Sequence, residues 1–362
     1  MNPAEAVLHL RAGEWVEVRS APEILATLDA RGELDGLPFM PEQLAFCGKR
    51  LRVERTAHKT CDTITGQLLG RRMEACVHLE AVRCDGSAHG GCQAGCLMFW
   101  KEAWLKRAEP AGAGVLWPLV SQSRTAGKPL PGSGTIRSTA ELARFTVSKG
   151  EPNSPDATYR CQITQLLEAT SPLPWWEPRQ YLQDWLSGNW PLGVMLRSAL
   201  FAVLARAVIW GRGYRLKLRL YNMLARLLGE PAWPYDRGNV TGRTPSATLR
   251  LQPGELVQVK SHAEILDTLK DARNRGMGFS AEMVEYCGGT YRVHSRVEKI
   301  IHEGTGKMMQ MSNDCIILEN VVCRSQCSGA RRFCPRAIYP FWREIWLRRA
   351  PGDPAGAQPR EG

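Results

Sequence analysis

One cysteine-bearing module occurs twice in this chain, and that recurrence constrains the fold more tightly than length does. Gly13-Glu14-Trp15-Val16-Glu17-Val18-Arg19-Ser20 returns as Gly254-Glu255-Leu256-Val257-Gln258-Val259-Lys260-Ser261, and Phe46-Cys47-Gly48 returns as Tyr286-Cys287-Gly288. Phe99-Trp100 with Trp104-Leu105 matches Phe341-Trp342 with Trp346-Leu347. Between these landmarks each copy holds Cys76 or Cys315, then Cys84 or Cys323, then two further thiols ahead of an expected closing helix. The repeat divides the 362 residues into a first module over 7–107, a flexible linker over 108–154 and a helical insert over 155–245. A second module over 246–350 and a disordered tail over 351–362 complete the chain.

Each module opens on a short strand, Trp15 to Val18 or Leu256 to Val259, in which valines alternate with polar neighbours. Ser20 with Glu23, and Ser261 with Glu264, have the spacing of a capping box, so a helix starts at once. A glycine-containing bend and a second helical turn lead to Cys47-Gly48 or Cys287-Gly288, and further strands follow at Leu51-Arg52-Val53 and Cys76 to Glu80, or their counterparts. The expected class is α+β: two small β-sheet or SH3-like barrel modules, each with an inserted and a closing helix, joined by a helical segment.

The chemistry concentrates in the cysteines. Cys84-Asp85-Gly86-Ser87-Ala88-His89-Gly90-Gly91-Cys92-Gln93-Ala94-Gly95-Cys96 places three thiols and an imidazole in one glycine-rich loop. Such a loop can wrap an ion and turn its amides toward thiolate sulfur; a reactive thiol pair and an inert loop are the competing readings. The second module offers Cys323, Cys327 and Cys334 at different intervals. The metal-ligand candidates are therefore Cys61, Cys84, His89, Cys92, Cys96, Cys323, Cys327 and Cys334. His58, Cys76, Glu80, Cys161, His302, Cys315 and Glu319 form a second tier, in which Cys76 with Glu80 and Cys315 with Glu319 are expected on one face of a strand. Cys47 and Cys287 read as core fillers.

Cys84-Asp85-Gly86-Ser87-Ala88-His89 resembles the CDGSH iron–sulfur signature, in which three cysteines and one histidine hold a two-iron cluster. The resemblance covers these few residues alone. Ala88 is an insertion within the motif and the closely spaced upstream cysteine pair of that family is missing, so its fold and function are not carried over. No Cys-x2-Cys pair marks a zinc ribbon. Iron–sulfur and zinc both remain open.

Hydrophobic residues at 44% and charged residues at 23% describe a globular chain. The opening residues carry no secretory signal, so a cytoplasmic, reducing setting is expected, where twelve cysteines favour metal ligands and buried fillers over disulfides. A net charge of +11 favours an acidic carrier protein, an anionic membrane face or nucleic acid as partner, and no motif supports the last. Arg197 and Arg206 interrupt the apolar run Trp190 to Gly211 on opposite faces, which argues against a transmembrane span. Arg212, Arg215, Arg219 and Arg226 then form one stripe of a basic amphipathic helix, beside Leu216, Leu220, Met223 and Leu227. That helix is expected to pack on the modules, or to dock peripherally at an anionic membrane or partner.

Phosphate-binding loops, nucleophile elbows, His-Glu-x2-His pairs and dinucleotide fingerprints do not occur in the sequence. The expected function is an intracellular metal-binding protein, in its specific form a redox or metal-dependent enzyme of a biosynthetic pathway. A non-catalytic structural-zinc adaptor for an acidic partner, membrane surface or nucleic acid is the alternative.

Overall fold

The computed structural model describes residues 7–65, 69–109, 138–209, 213–230, 232–327 and 331–351. The chain divides into two compact units. The first takes Met1–Asn189 with Ile301–Met308 and Cys334–Arg336, and the second takes Trp190–Ile300, Met309–Phe333 and Ala337–Gly362. Most of the expected linker, nearly all of the expected tail and Arg212 lie outside the described residues.

Mixed helix and small antiparallel sheets make an α+β protein. In the first unit the largest sheet runs, edge to edge, through Trp100–Lys101, Cys76–Leu79, Arg50–Thr56, Trp15–Val18 and Leu105–Arg107. Val16 sits opposite Leu51 on one side and Arg107 on the other. Val16 and Val18 are fully buried while Trp15 and Glu17 are half-buried, the period-two pattern of a strand with one face on a core. In the second unit the order is Ile316–Leu318, Thr290–Arg296, Leu256–Val259, Leu347–Arg349, with Val257 opposite Tyr291 and Arg349. Among the described strands no sheet closes into a barrel, so both main sheets are open rather than SH3-like barrels.

The helix after each first strand starts as its sequence dictates. Glu23 accepts a hydrogen bond from the Ser20 amide at 2.9 Å, and Glu264 does the same for Ser261 at 2.9 Å. Ala21–Leu25 and His262–Leu266 then bury Ile24 and Ile265.

The closing aromatic segments are not helices. Glu102–Trp104 and Glu344–Trp346 are single 3-10 turns, each leading into a strand that pairs with the module's first strand. Pairing wins because an open edge of the first strand would leave a row of amides and carbonyls unmet. The aromatics still do the packing expected of them. Phe39 meets Trp100 and Trp104 edge-on at 6.3 and 5.1 Å, and Phe279 meets Trp342 and Trp346 at 6.4 and 5.5 Å. The indole of Trp104 donates to the Thr27 hydroxyl and that of Trp346 to the Thr268 hydroxyl.

A buried carboxylate fixes the entry to each sheet. Glu102 accepts from the backbone amides of Leu8, His9 and Leu10 at 2.6, 2.8 and 3.0 Å. Glu344 accepts from Leu249, Arg250 and Leu251 at 2.5, 3.1 and 3.0 Å, with Arg296 adding a 2.7 Å ion pair. Truncating either carboxylate leaves three amides without acceptors, two of them in a part-buried setting. Glu102→Ala and Glu344→Ala are each expected to lower stability by about 2–4 kcal/mol. Urea unfolding followed by circular dichroism measures this, and an unchanged midpoint would remove the clamp from the account.

Candidate metal centre

The loop between Val82 and Phe99 is tied at its base, where the Cys84 amide donates to the Cys96 carbonyl at 2.8 Å. Arg83 and Leu97 bridge beside it. Inside, Gly86 accepts from the amides of His89 and Gly91 at 3.1 and 2.9 Å, which curls the chain back on itself. Gly86 has φ +74°, and a Cβ there would meet the Cys92 carbonyl oxygen at 2.1 Å. Only glycine closes this turn.

That curl buries His89, at 2% exposure. One ring nitrogen, Nδ1, lies 2.8 Å from Oε1 of Glu42, and the other, Nε2, lies 3.5 Å from the Cys84 sulfur. Glu42 comes from the helical turn Pro41–Phe46 and also accepts from the Ala88 amide at 3.0 Å. Its second oxygen, Oε2, is buried with no hydrogen-bond partner among the described residues. Burial pushes the Glu42 carboxyl up, but the His89 imidazole together with the backbone amides of Glu42 and Ala88 holds it below the usual range. Among the described residues Glu42, Cys84 and His89 are the grouping whose ligand atoms all lie within 4.8 Å of one another, and they could hold a metal ion.

The other thiols gather around the same place. A cavity of about 40 Å³ is lined by Cys84, His89, Cys92, Cys96 and Cys161. Cys161 arrives from beyond the linker because its neighbour Gln162 is stitched to the loop's exit. The Gln162 amide oxygen accepts from Phe99 N at 2.9 Å, and its nitrogen donates to Phe99 O at 2.9 Å and Pro38 O at 3.1 Å. The Cys92 sulfur accepts from the Ile301 amide at 3.3 Å. Cys84, Cys92 and Cys96 thus share one cavity without forming a trio at single-ion spacing, against the close approach that one tetrahedral ion needs.

Burial raises all four thiols. Cys96 is pushed up to about 12 although Arg336 pulls it down, and Cys161 is pushed up to about 11. Cys84 rises further, because the Glu42 carboxylate and Cys96 add to burial, and Cys92 rises chiefly by burial.

Cys61 is placed elsewhere. It lies in the strand Lys59–Cys61 with its sulfur 3.9 Å from the Arg336 guanidinium, which also binds Glu303 and Thr63 at 2.8 Å each. Its place among the loop thiols is taken by Cys161. His58 turns toward the fully buried Asp184 at 3.3 Å rather than toward Cys61. Cys76 is a core residue at 3% exposure, and its thiol is pushed up to about 12 by burial. Glu80 falls past the end of that strand, where Ala81 takes φ +59°, and pairs on the surface with Arg52 at 3.5 Å. The shared face expected for Cys76 and Glu80 therefore does not form.

Among the described residues the thiols from Cys315 onward form no grouping at ligand spacing. Cys323 faces the Ser325 hydroxyl at 3.4 Å, Cys327 packs against the cluster around Phe201 and Tyr221, and Cys334 belongs to the first compact unit. Cys315 is fully buried in the core, Glu319 is half-buried just past the strand Ile316–Leu318, and His302 is exposed beside Thr305 at 3.1 Å. Glu42 escaped the sequence reading altogether. Its signal was there, since Glu282 occupies the matching place between Phe279 and Cys287.

No protein-family model, curated protein or solved structure matches the chain.

The raised thiols set a pH dependence with a definite sign. Their folded values lie above the ordinary 9.0, so the stability they carry is whole below pH 9 and is lost as pH climbs through about 11 to 12. Chelator-washed protein is expected to lose stability steeply over that window, and Cys96→Ala to flatten the slope. Denaturant midpoints taken from pH 8 to 12 test this, and parallel curves for both proteins would contradict it.

Proposed function

We propose that the first compact unit houses a thiolate-rich metal centre in which Cys84, Cys92, Cys96 and Cys161 hold an iron–sulfur cluster for redox chemistry, with His89 and Glu42 at its edge. The observation that carries this reading is the single cavity lined by four thiols and an imidazole. Two sulfurs on one zinc can stand no more than about 4.6 Å apart, since each bond is about 2.3 Å. A cluster takes its cysteines at wider spacing and spreads the thiolate charge over several irons. Room for about three water-sized spheres, judged from a cavity of about 40 Å³, also exceeds what one ion needs.

The chain's own residues have distinct parts in this reading. Gly86 and the Cys84–Cys96 backbone tie shape the loop, Gln162 brings Cys161 to it, and Arg336 lies close enough to draw Cys96 toward the thiolate. Glu42 holds the imidazole of His89 in orientation, as carboxylates do for ligating histidines. The two modules are read as duplicates, the first active and the second structural. Their support is the matched strand register, the paired clamps of Glu102 and Glu344, and the paired Glu42 and Glu282.

Structural zinc is the second reading, and the close Glu42–Cys84–His89 grouping favours it. Protein purified without oxygen separates the two. Iron with acid-labile sulfide and visible absorbance is expected, and colourless protein with one zinc would overturn the cluster. Cys161→Ser is expected to lower metal content several-fold while Cys61→Ser and Cys327→Ser leave it unchanged. Loss on Cys61→Ser with retention on Cys161→Ser would refute the ligand set.

A further inference from the structure

The helices Leu192–Ile209 and Tyr214–Leu228, both in the second unit, pack against each other through Phe201, Val208, Tyr221 and Ala225. Each also turns a second apolar stripe outward. On the first helix Leu192, Leu196, Leu200 and Val203 are 48 to 65% exposed. On the second Leu216, Leu220, Met223 and Leu227 are 48 to 76% exposed. Both sets follow the three- and four-residue steps of one helical face. The leucine stripe therefore does not pack on a module; Tyr221 and Ala225 supply the inward face instead.

Charge decides what such a face can meet. From Leu192 to Leu228 the sequence holds seven arginines and lysines and no aspartate or glutamate. Arg215, Arg219 and Arg226 are exposed on the second helix, flanking its leucines, while Arg197 pairs with Glu230 at 3.0 Å. A second copy of this face would bring like charge against like charge. Neither helix is long and apolar enough to cross a membrane. Outward leucines with arginines beside them, in a segment without acidic residues, suit the boundary between acyl chains and anionic headgroups.

We infer that this helical pair is a docking surface for an anionic lipid bilayer, with its leucines in the acyl boundary and its arginines among the headgroups. The inference is independent of the metal centre, since none of these residues lines the thiol cavity.

Flotation of the full chain with lipid vesicles tests it. Binding to phosphatidylcholine vesicles containing phosphatidylserine is expected, with weak binding to phosphatidylcholine alone and a fall as salt rises. Arg215→Gln with Arg219→Gln should weaken partition about thirtyfold, from about 1 kcal/mol per basic residue near the surface. Leu220→Asp with Met223→Asp should weaken it more than tenfold, because two inserted side chains of comparable worth are replaced by anions. Circular dichroism and metal content establish that each variant is folded, and the arginine variant alone decides the matter if the leucine variant is not. No partition on either vesicle, or partition unchanged by the arginine substitutions, would overturn the inference. Retention on polyglutamate without vesicle binding would assign the face to an acidic protein, and dimers dissolved by the leucine variant would assign it to a second copy.

Discussion

A buried carboxylate has to be surrounded by donors, and this protein uses that requirement to organise both of its main sheets. Glu102 and Glu344 are 4% and 0% exposed, and each faces three successive backbone amides. An isolated carboxylate there would be untenable, so the segment carrying those amides must come to it. The chain around them bends to do so, with His9 at φ +49° and Arg250 at φ +51°. Once that entry is fixed, the following strand has its register, and the aromatic pairs Trp100 with Trp104 and Trp342 with Trp346 close over Phe39 and Phe279. The carboxylate acts at the level of local geometry, and its consequence is the packing of the core.

The same device recurs in the helical turns that carry Glu42 and Glu282. Glu42 and Glu282 stand at matching places and both receive amides from the cysteine loop that follows: Ala88 in one case, Gln326 and Cys327 in the other. In the second module the backbone amides of two successive residues point at the carboxylate. In the first, one amide reaches it, and Nδ1 of the His89 imidazole lies 2.8 Å from the same carboxylate oxygen. That places the ring between a carboxylate and a sulfur, the arrangement in which a histidine is oriented for ligation. One residue, His89, thus converts a loop anchor into the edge of a thiol-lined cavity.

Local patterning was legible in the sequence, and long-range placement was not. The alternating valines of the first strands and the serine–glutamate caps act between neighbours, so the sequence displays them directly. The loop from Cys84 to Cys96 was legible for the same reason, because its glycines fold it within itself. Cys161 lines the thiol cavity and Cys61 does not, because partners far away in sequence decide where each one lies. Arg336 lies 275 residues from Cys61 yet contacts its sulfur, and Gln162 reaches 63 residues back to Phe99. The closing segments misled because aromatic spacing fits a helix as well as a strand–turn–strand, and the unpaired edge of the first strand settles which one forms.

The electrostatics of the cavity bear on what it holds. Four thiols with values pushed above the ordinary one stay protonated at neutral pH when nothing else is present, and a neutral thiol is a weak donor and a weak acceptor. Ordering a glycine-rich loop to bring such groups together gains little from hydrogen bonding between them and gives up the backbone freedom of its glycines. A bound metal would reverse that balance, since Cys84, Cys92, Cys96 and Cys161 would give up their protons to ligate it, and binding would tighten as pH rises toward the thiol range. Arg336, buried and within Coulombic reach of Cys96, would offset part of the negative charge that thiolates there would bring. The thiols gathered at the cavity, beside Glu42 and His89, are thus the place among the described residues where a metal could be held.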